Sequence, residues 1–282
     1  VALPTQRWRR VFARQWVREL APALLPVLGL PLLVLLFAAT PASPWALHRA
    51  DATLGQGDVT GAVDAYQAVA RWSVWPGQAR EATWRAASLA SSSAGEPLQA
   101  RRLYRSFLKA WPDDPRIAQV RLSLAQLERL DFGRPDRAAR QYAWAVREAP
   151  DHPQAANWLQ RSGESWLQAG KPAQARSTWR RLIADYPEQA AVANLSLARL
   201  SLSDGDVERA YEYFQSAAVQ RARGPEATLA RLGMSLCLEQ LGDLEAALAE
   251  LDEVSEELPY DVWQQRRARL VERRRKSSGE GP

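Results

Sequence analysis

The sequence predicts an all-α protein: an N-terminal transmembrane helix, then an α-solenoid of about six helical hairpins closed by a C-terminal capping helix. Three observations carry this. A six-fold rhyme runs through the chain, residues 21–39 form an uncharged apolar run, and an arginine-rich amphipathic stretch follows the last copy of the rhyme. Each copy is a Gly, an Ala five residues later, and an aromatic residue or Leu four residues after that. The copies are Gly57, Ala62 and Tyr66; Gly95, Ala100 and Tyr104; Gly133, Ala138 and Tyr142; Gly170, Ala175 and Trp179; Gly205, Ala210 and Phe214; and Gly242, Ala247 and Leu251. The glycines recur every 35 to 38 residues, the period expected of a two-helix repeat.

Each part of the rhyme has a physical role. A glycine past the end of one helix supplies the left-handed backbone of a C-cap, and the next helix starts there. The alanine lets the two helices of a pair approach closely, and the bulky residue one turn on fills the space beside it. Three residues further come Val69, Phe107, Ala145, Leu182, Ala217 and Val254, which extend the apolar face. Twelve residues past the alanine, four copies place a proline (Pro112, Pro150, Pro187 and Pro259), expected to stop its helix.

The second-helix pattern A-x3-F…P resembles the tetratricopeptide repeat over about residues 45–260. The first-helix half of that pattern, W-x2-L-G-x2-Y, is best kept in the fourth copy, as Gly163 and Trp166. The resemblance implies a scaffold that binds protein or peptide partners, its first helices lining an inner surface. Counting back from each alanine, that surface would carry Arg85; Val120, Ser123 and Leu127; Asn157, Gln160 and Glu164; Leu195 and Arg199; and Leu232 and Glu239. For the polar members the alternative is a solvated helix face. The Lys/Asn/Arg clamp by which some members of the family hold a C-terminal carboxylate is not reproduced, so that ligand class is not expected.

Residues 1–20 read as a cytoplasmic basic amphipathic segment, with Trp8, Val11, Phe12 and Trp16 on one helical face and Arg7, Arg10, Arg14 and Arg18 opposite. Residues 21–39 are long enough to span a bilayer as a helix, and residues 40–44 form a linker. The arginines before the span put the N-terminus in the cytoplasm and the repeats outside it, in a periplasm or equivalent space. Trp45 stands where an aromatic belt would place it. Ala38, Ala39, Thr40 and Ala42 leave open a second reading, a cleaved signal peptide that releases a soluble protein.

Residues 1–20 and 260–282 each carry net +4, so of the total of +5 the remainder carries net −3. The repeats are therefore no basic platform, and no nucleic acid partner is expected. Cys237 is the sole cysteine, among Met234, Leu236 and Leu238, and is expected to be a buried thiol. His48 and His152 have no metal-binding partner at helical spacing, and no phosphate loop, dinucleotide fingerprint or nucleophile elbow is present. The expectation is no enzyme, no catalytic residue, no metal, no cofactor and no small-molecule substrate.

Trp72 and Trp75, near the displaced stop at Pro76, can either pack against the following repeat or form a docking patch. Residues 261–276 form the capping helix, in which Val262, Trp263, Leu270 and Val271 would cover the last repeat beneath an outer face of arginines; residues 277–282 are a disordered tail. The function expected is a membrane-anchored interaction scaffold or chaperone-like adaptor in the cell (inner) membrane. The rivals are a dedicated structural subunit of a cell-envelope machine for secretion, motility or polysaccharide export, and the cleaved soluble binding protein.

Overall fold

The computed structural model describes residues 40, 42–220 and 224–277. Among these residues there are thirteen α-helices, one short 3-10 turn and no strand. They divide into two compact units, one ending at Asp114 and the other starting at Pro115. The first unit holds α1 (Ala46–Gly55), α2 (Val59–Trp72), α3 (Pro76–Ser92) and α4 (Pro97–Ala110). The second holds α5 (Ile117–Leu130), α6 (Pro135–Glu148), α7 (Ala155–Gln168), α8 (Pro172–Asp185), the 3-10 turn Pro187–Gln189 and α9 (Ala190–Ser203). It continues with α10 (Val207–Gln220), α11 (Pro225–Leu241), α12 (Leu244–Asp252) and α13 (Tyr260–Ser277). Within each unit consecutive helices pack on one another, so the odd-numbered helices up to α11 are the first members of six hairpins.

The rhyme accounts for these hairpins. All six glycines sit in the turns at positive φ, from 57° at Gly133 to 90° at Gly242, where an L side chain would be strained. The second helices start at once: Pro97, Pro135 and Pro172 open α4, α6 and α8, where the missing N–H costs nothing. Asp58 and Asp243 instead cap α2 and α12, accepting from the backbone N–H of Gly61 at 2.8 Å and of Ala246 at 3.1 Å. Three of the four prolines do follow their helices closely, since α4, α6 and α8 end at Ala110, Glu148 and Asp185. Pro259 does not stop α12. That helix ends at Asp252, turns follow, and the Pro259 carbonyl accepts the Trp263 N–H inside the start of α13.

All six alanines of the rhyme are fully buried, and the bulky residues one turn later are at most 4 % exposed. Close approach is most severe at two glycines inside first helices. A Cβ on Gly163 would lie 2.3 Å from Nε1 of Trp179, and one on Gly233 would lie 2.4 Å from the ring of Phe214. Gly163 thus closes its own hairpin, α7 on α8. Gly233 brings α11 onto α10 of the preceding hairpin, a contact that the sequence reading did not anticipate.

The cap is longer than expected, and Ser277 belongs to its last turn rather than to the tail. Leu270 is fully buried among Leu244, Ala247, Leu248, Leu251 and Val254, with Trp263 and Val271 packed beside it. Val262 does not cover the core: it is one position off the stripe set by Trp263 and Leu270, and it stands 49 % exposed. Arg267 donates to Asp252 at 3.0 Å and Arg273 pairs with Glu239, so part of the basic face binds the last hairpin.

The N-terminal amphipathic segment, the membrane helix of residues 21–39 and residues 278–282 of the tail lie outside the described residues. No helix among the described residues is long and apolar enough to cross a membrane.

A polar face on the first helices

On α7, Asn157, Gln160, Glu164 and Gln168 follow at spacings of three, four and four, which puts them on one stripe. Arg161 and Ser165 border it, and Arg129 reaches in from the last turn of α5; together these seven residues line a depression of about 330 Å³. Gln160 is its fulcrum. Its Nε2 donates to Glu164 Oε1 at 3.0 Å and, across to the next first helix, to Ser196 Oγ of α9 at 2.9 Å. The ionised carboxylate of Glu164 can only accept, which fixes the amide nitrogen on that side. The Gln160 Oε1 is then left buried without a hydrogen-bond partner, on a side chain only 9 % exposed. A buried unmatched acceptor costs about 1–3 kcal/mol.

The surroundings suit a peptide. Arg161 Nε donates to Asn157 Oδ1 at 2.9 Å, which orients that guanidinium along the stripe. Two guanidiniums, one carboxylate and three side-chain amides offer donors and acceptors to a main chain. They include no nucleophile with a base beside it.

The other expected face residues behave differently. Val120, Leu127 and Leu195 are buried, at 0 %, 3 % and 5 % exposure, so they belong to the packing and not to an open surface. Leu195 joins Phe214, Ala217 and Met234 in a core cluster. Leu232 is half-buried against the α12–α13 core. Ser123 is half-buried on α5, and Arg199 is exposed on α9. Glu239 is held by Arg273 of the cap.

Arg85, in the first unit, is engaged by its own neighbours. Its Nη1 meets Asp51 at 2.5 Å and its Nε meets Glu81 at 2.7 Å, with the Tyr66 ring centre 6.0 Å away. Tyr66 also donates its hydroxyl to Asp51. Burial by itself would raise the Asp51 pKa. The hydrogen bonds from Tyr66 and Arg85, with the positive charges of Arg85 and His48, outweigh it and hold the carboxyl below its ordinary value. The hydrogen bond to Glu81, the largest influence, keeps the Arg85 guanidinium firmly charged.

Sequence reasoning missed Arg129, Arg161, Ser165, Gln168 and Ser196. Arg161 and Gln168 were within reach of the helical spacing, whereas Arg129 and Ser196 come from neighbouring hairpins. It also missed Asn194, buried on α9, whose Nδ2 donates to Gln220 at 3.1 Å. Elsewhere, His152 stacks on Trp158 with ring centres 4.5 Å apart, and its Nδ1 accepts from the Gln154 N–H. Cys237 is fully buried, and burial pushes its thiol up to about 11. Among the described residues no cluster of His, Cys, Asp and Glu could hold a metal ion.

Fold and face together define a class, an array of helical hairpins that presents a polar surface. Family models give the particular family. "Tetratricopeptide repeat-like domain" matches residues 153–267, and "Tetratricopeptide repeat" matches residues 47–115 and 127–159, together well over half of the chain. The chain belongs to the tetratricopeptide repeat family, and it is a protein–protein interaction scaffold of that type. Such proteins are typically non-enzymatic.

Among solved structures, a MamA protein is similar at a TM-score of 0.50 and 20 % identity, over 64 % of this chain and 92 % of that one. PilW, described as a widely conserved type IV pilus biogenesis factor, gives 0.46 and 17 % over 78 % and 95 %. PilF of Pseudomonas aeruginosa gives 0.44 and 18 % over 78 % and 94 %. At 20 % identity the likeness to MamA is one of fold. No curated protein sequence matches the chain.

Proposed function

We propose that this protein is a scaffold anchored in the cell membrane by residues 21–39, with its N-terminus in the cytoplasm and its repeats in the periplasm or an equivalent space. The polar face of α5, α7 and α9 holds an extended segment of a partner protein. The anchor is supported by the uncharged run and the arginines before it. The face is supported by one observation above all: the buried, unmatched Oε1 of Gln160, a residue that lines one depression with Arg129 and Arg161. Peptide groups meet the exposed amides of Asn157 and Gln168, and partner carboxylates or carbonyls meet the two guanidiniums.

The test is site-specific photo-crosslinking in intact cells, with the reactive residue at exposed Asn157 and, as control, at exposed Gln215 of α10. Capture at Asn157 alone, abolished by Gln160→Leu, is the expected result. Equal capture at both positions, or capture at Asn157 that Gln160→Leu leaves unchanged, would overturn the assignment of the face. One or two partners at fixed stoichiometry would mark a dedicated subunit of an envelope machine. A broad set of exported proteins would mark a chaperone-like adaptor.

A further inference from the structure

The first unit carries a surface that the polar face does not explain. Trp45, Trp72, Val74 and Trp75 are each more than half exposed, at 54 %, 59 %, 68 % and 52 %. They gather at one end of the unit: Trp45 precedes α1, Trp72 closes α2, and Val74 and Trp75 lead into α3. Side chains hold that end together. Gln78 Nε2 donates to the Pro44 carbonyl at 2.9 Å, Ser73 Oγ donates to Gln78 Oε1 at 2.7 Å, and the Trp75 N–H donates to Ser73 Oγ at 3.1 Å. A docking patch, one of the two readings open from the sequence for Trp72 and Trp75, agrees with this exposure.

The position of the chain says what covers it. Arg49 Nη2 donates to the Thr40 carbonyl at 2.5 Å and reaches Ser43 Oγ at 3.3 Å, which fixes residue 40 at the same end as the tryptophans. Residue 40 directly follows the uncharged run of residues 21–39. Six residues of chain reach at most about 20 Å, so a bilayer crossed by that run lies within contact of this end. The charge also fits. Residues 40–50 and 65–80 contain no Asp or Glu but include Arg49, Arg71 and Arg80. Arg71 lies over the Trp72 ring at 5.1 Å, and Arg80 pairs with Asp114 at 3.3 Å. Asp113, just past α4, is the exposed acid nearest in the chain to that pair, and Lys109 is exposed close to it.

We infer that this end of the first unit is a membrane seat: Trp45, Trp72, Val74 and Trp75 insert at the headgroup–acyl boundary of the bilayer, and Arg71 meets lipid phosphate. Indole rings favour that boundary because it is apolar at one side and wet at the other. The inference rests on the proposed anchor, since the short connection is what brings the bilayer to this surface.

The experiment uses the full chain in lipid nanodiscs holding one copy each. A polarity-sensitive fluorophore is placed through Val74→Cys or, at the opposite end of α1, through Gln56→Cys; buried Cys237 stays unlabelled. Lipids brominated just below the headgroup should quench Val74→Cys about threefold more than Gln56→Cys. Adding Trp72→Ser and Trp75→Ser should bring the two positions together. If the protein resists alkaline carbonate extraction and yet both positions are quenched equally, the seat is wrong and the anchor stands. Extraction by carbonate removes the anchor, and the seat with it. A Val74 probe shielded from aqueous iodide but untouched by bromolipid would mean that the chain itself covers the patch, and would overturn the seat as well.

Discussion

The two units answer differently at one repeat position. Fifteen residues before the alanine of the rhyme stand Arg85 in the second hairpin and Gln160 in the fourth. In the first unit the side chain is closed off by Asp51, Glu81 and the Tyr66 ring. In the second unit it keeps an acceptor with no partner at all. Particular tryptophans contrast in the opposite sense: Trp179 and Trp158 of the second unit are buried, while Trp45, Trp72 and Trp75 of the first stand out. One hairpin plan therefore closes off a polar side chain in one unit and leaves one unmatched at the same repeat position in the other. Repeat position alone does not decide what a residue does; the partner delivered by the neighbouring helix does.

The contrast between tryptophans gives the largest expected effect. Trp179→Ala should lower unfolding free energy by about 3–5 kcal/mol, because it empties a filled core site. Trp75→Ala should stay within about 0.5 kcal/mol, as expected at an exposed position. Urea denaturation of both variants measures the difference, and similar costs would erase the distinction between core and surface rings.

Next comes Gly163→Ala. The methyl group gains up to about 1 kcal/mol of helix propensity but must displace the Trp179 ring, so a net loss of about 1–3 kcal/mol is expected. A variant that melts at or above the wild-type temperature would mean that the α7–α8 contact is looser than 2.3 Å implies.

The smallest effect belongs to the closed network of the first unit. The folded pKa of Asp51 is depressed, so its contribution is complete above the unfolded value of about 3.9 and is lost as pH falls through the folded one. With both side chains 39 % exposed, solvent holds the Asp51–Arg85 pair within about 1 kcal/mol. Asp51→Asn should cost that much near neutral pH and leave a flatter acid limb in a series of melts from pH 6 to 2. An unchanged limb would show that the network is not what closes Arg85.

Much of the fold was legible because a rhyme of Gly, Ala and a bulky residue states a turn, a close contact and its filling in the order the chain needs them. The cluster of Asn157, Gln160 and Glu164 was legible for a similar reason, since helical spacing alone aligns them. Arg129 and Ser196 were not, because neighbouring helices deliver them. Glu239 looked open because its partner, Arg273, lies 34 residues away in the chain, and so does Asp51, which joins the nearby Glu81 in closing Arg85. Val120, Leu127 and Leu195 were assigned to a surface by counting, yet first helices are packed on more than one side and bury them. The early end of α12 carried no sequence signal that outweighed the rhythm of the prolines.

Gly233 pressing α11 onto Phe214, and Leu270 closing the last hairpin, mean that in the second unit each hairpin completes a core begun by its neighbour. Pulled from its two ends, a stack of this kind is a compliant spring and not a brittle link. It sheds load one hairpin at a time, lengthens in short increments, and re-forms each hairpin against a template that is still standing.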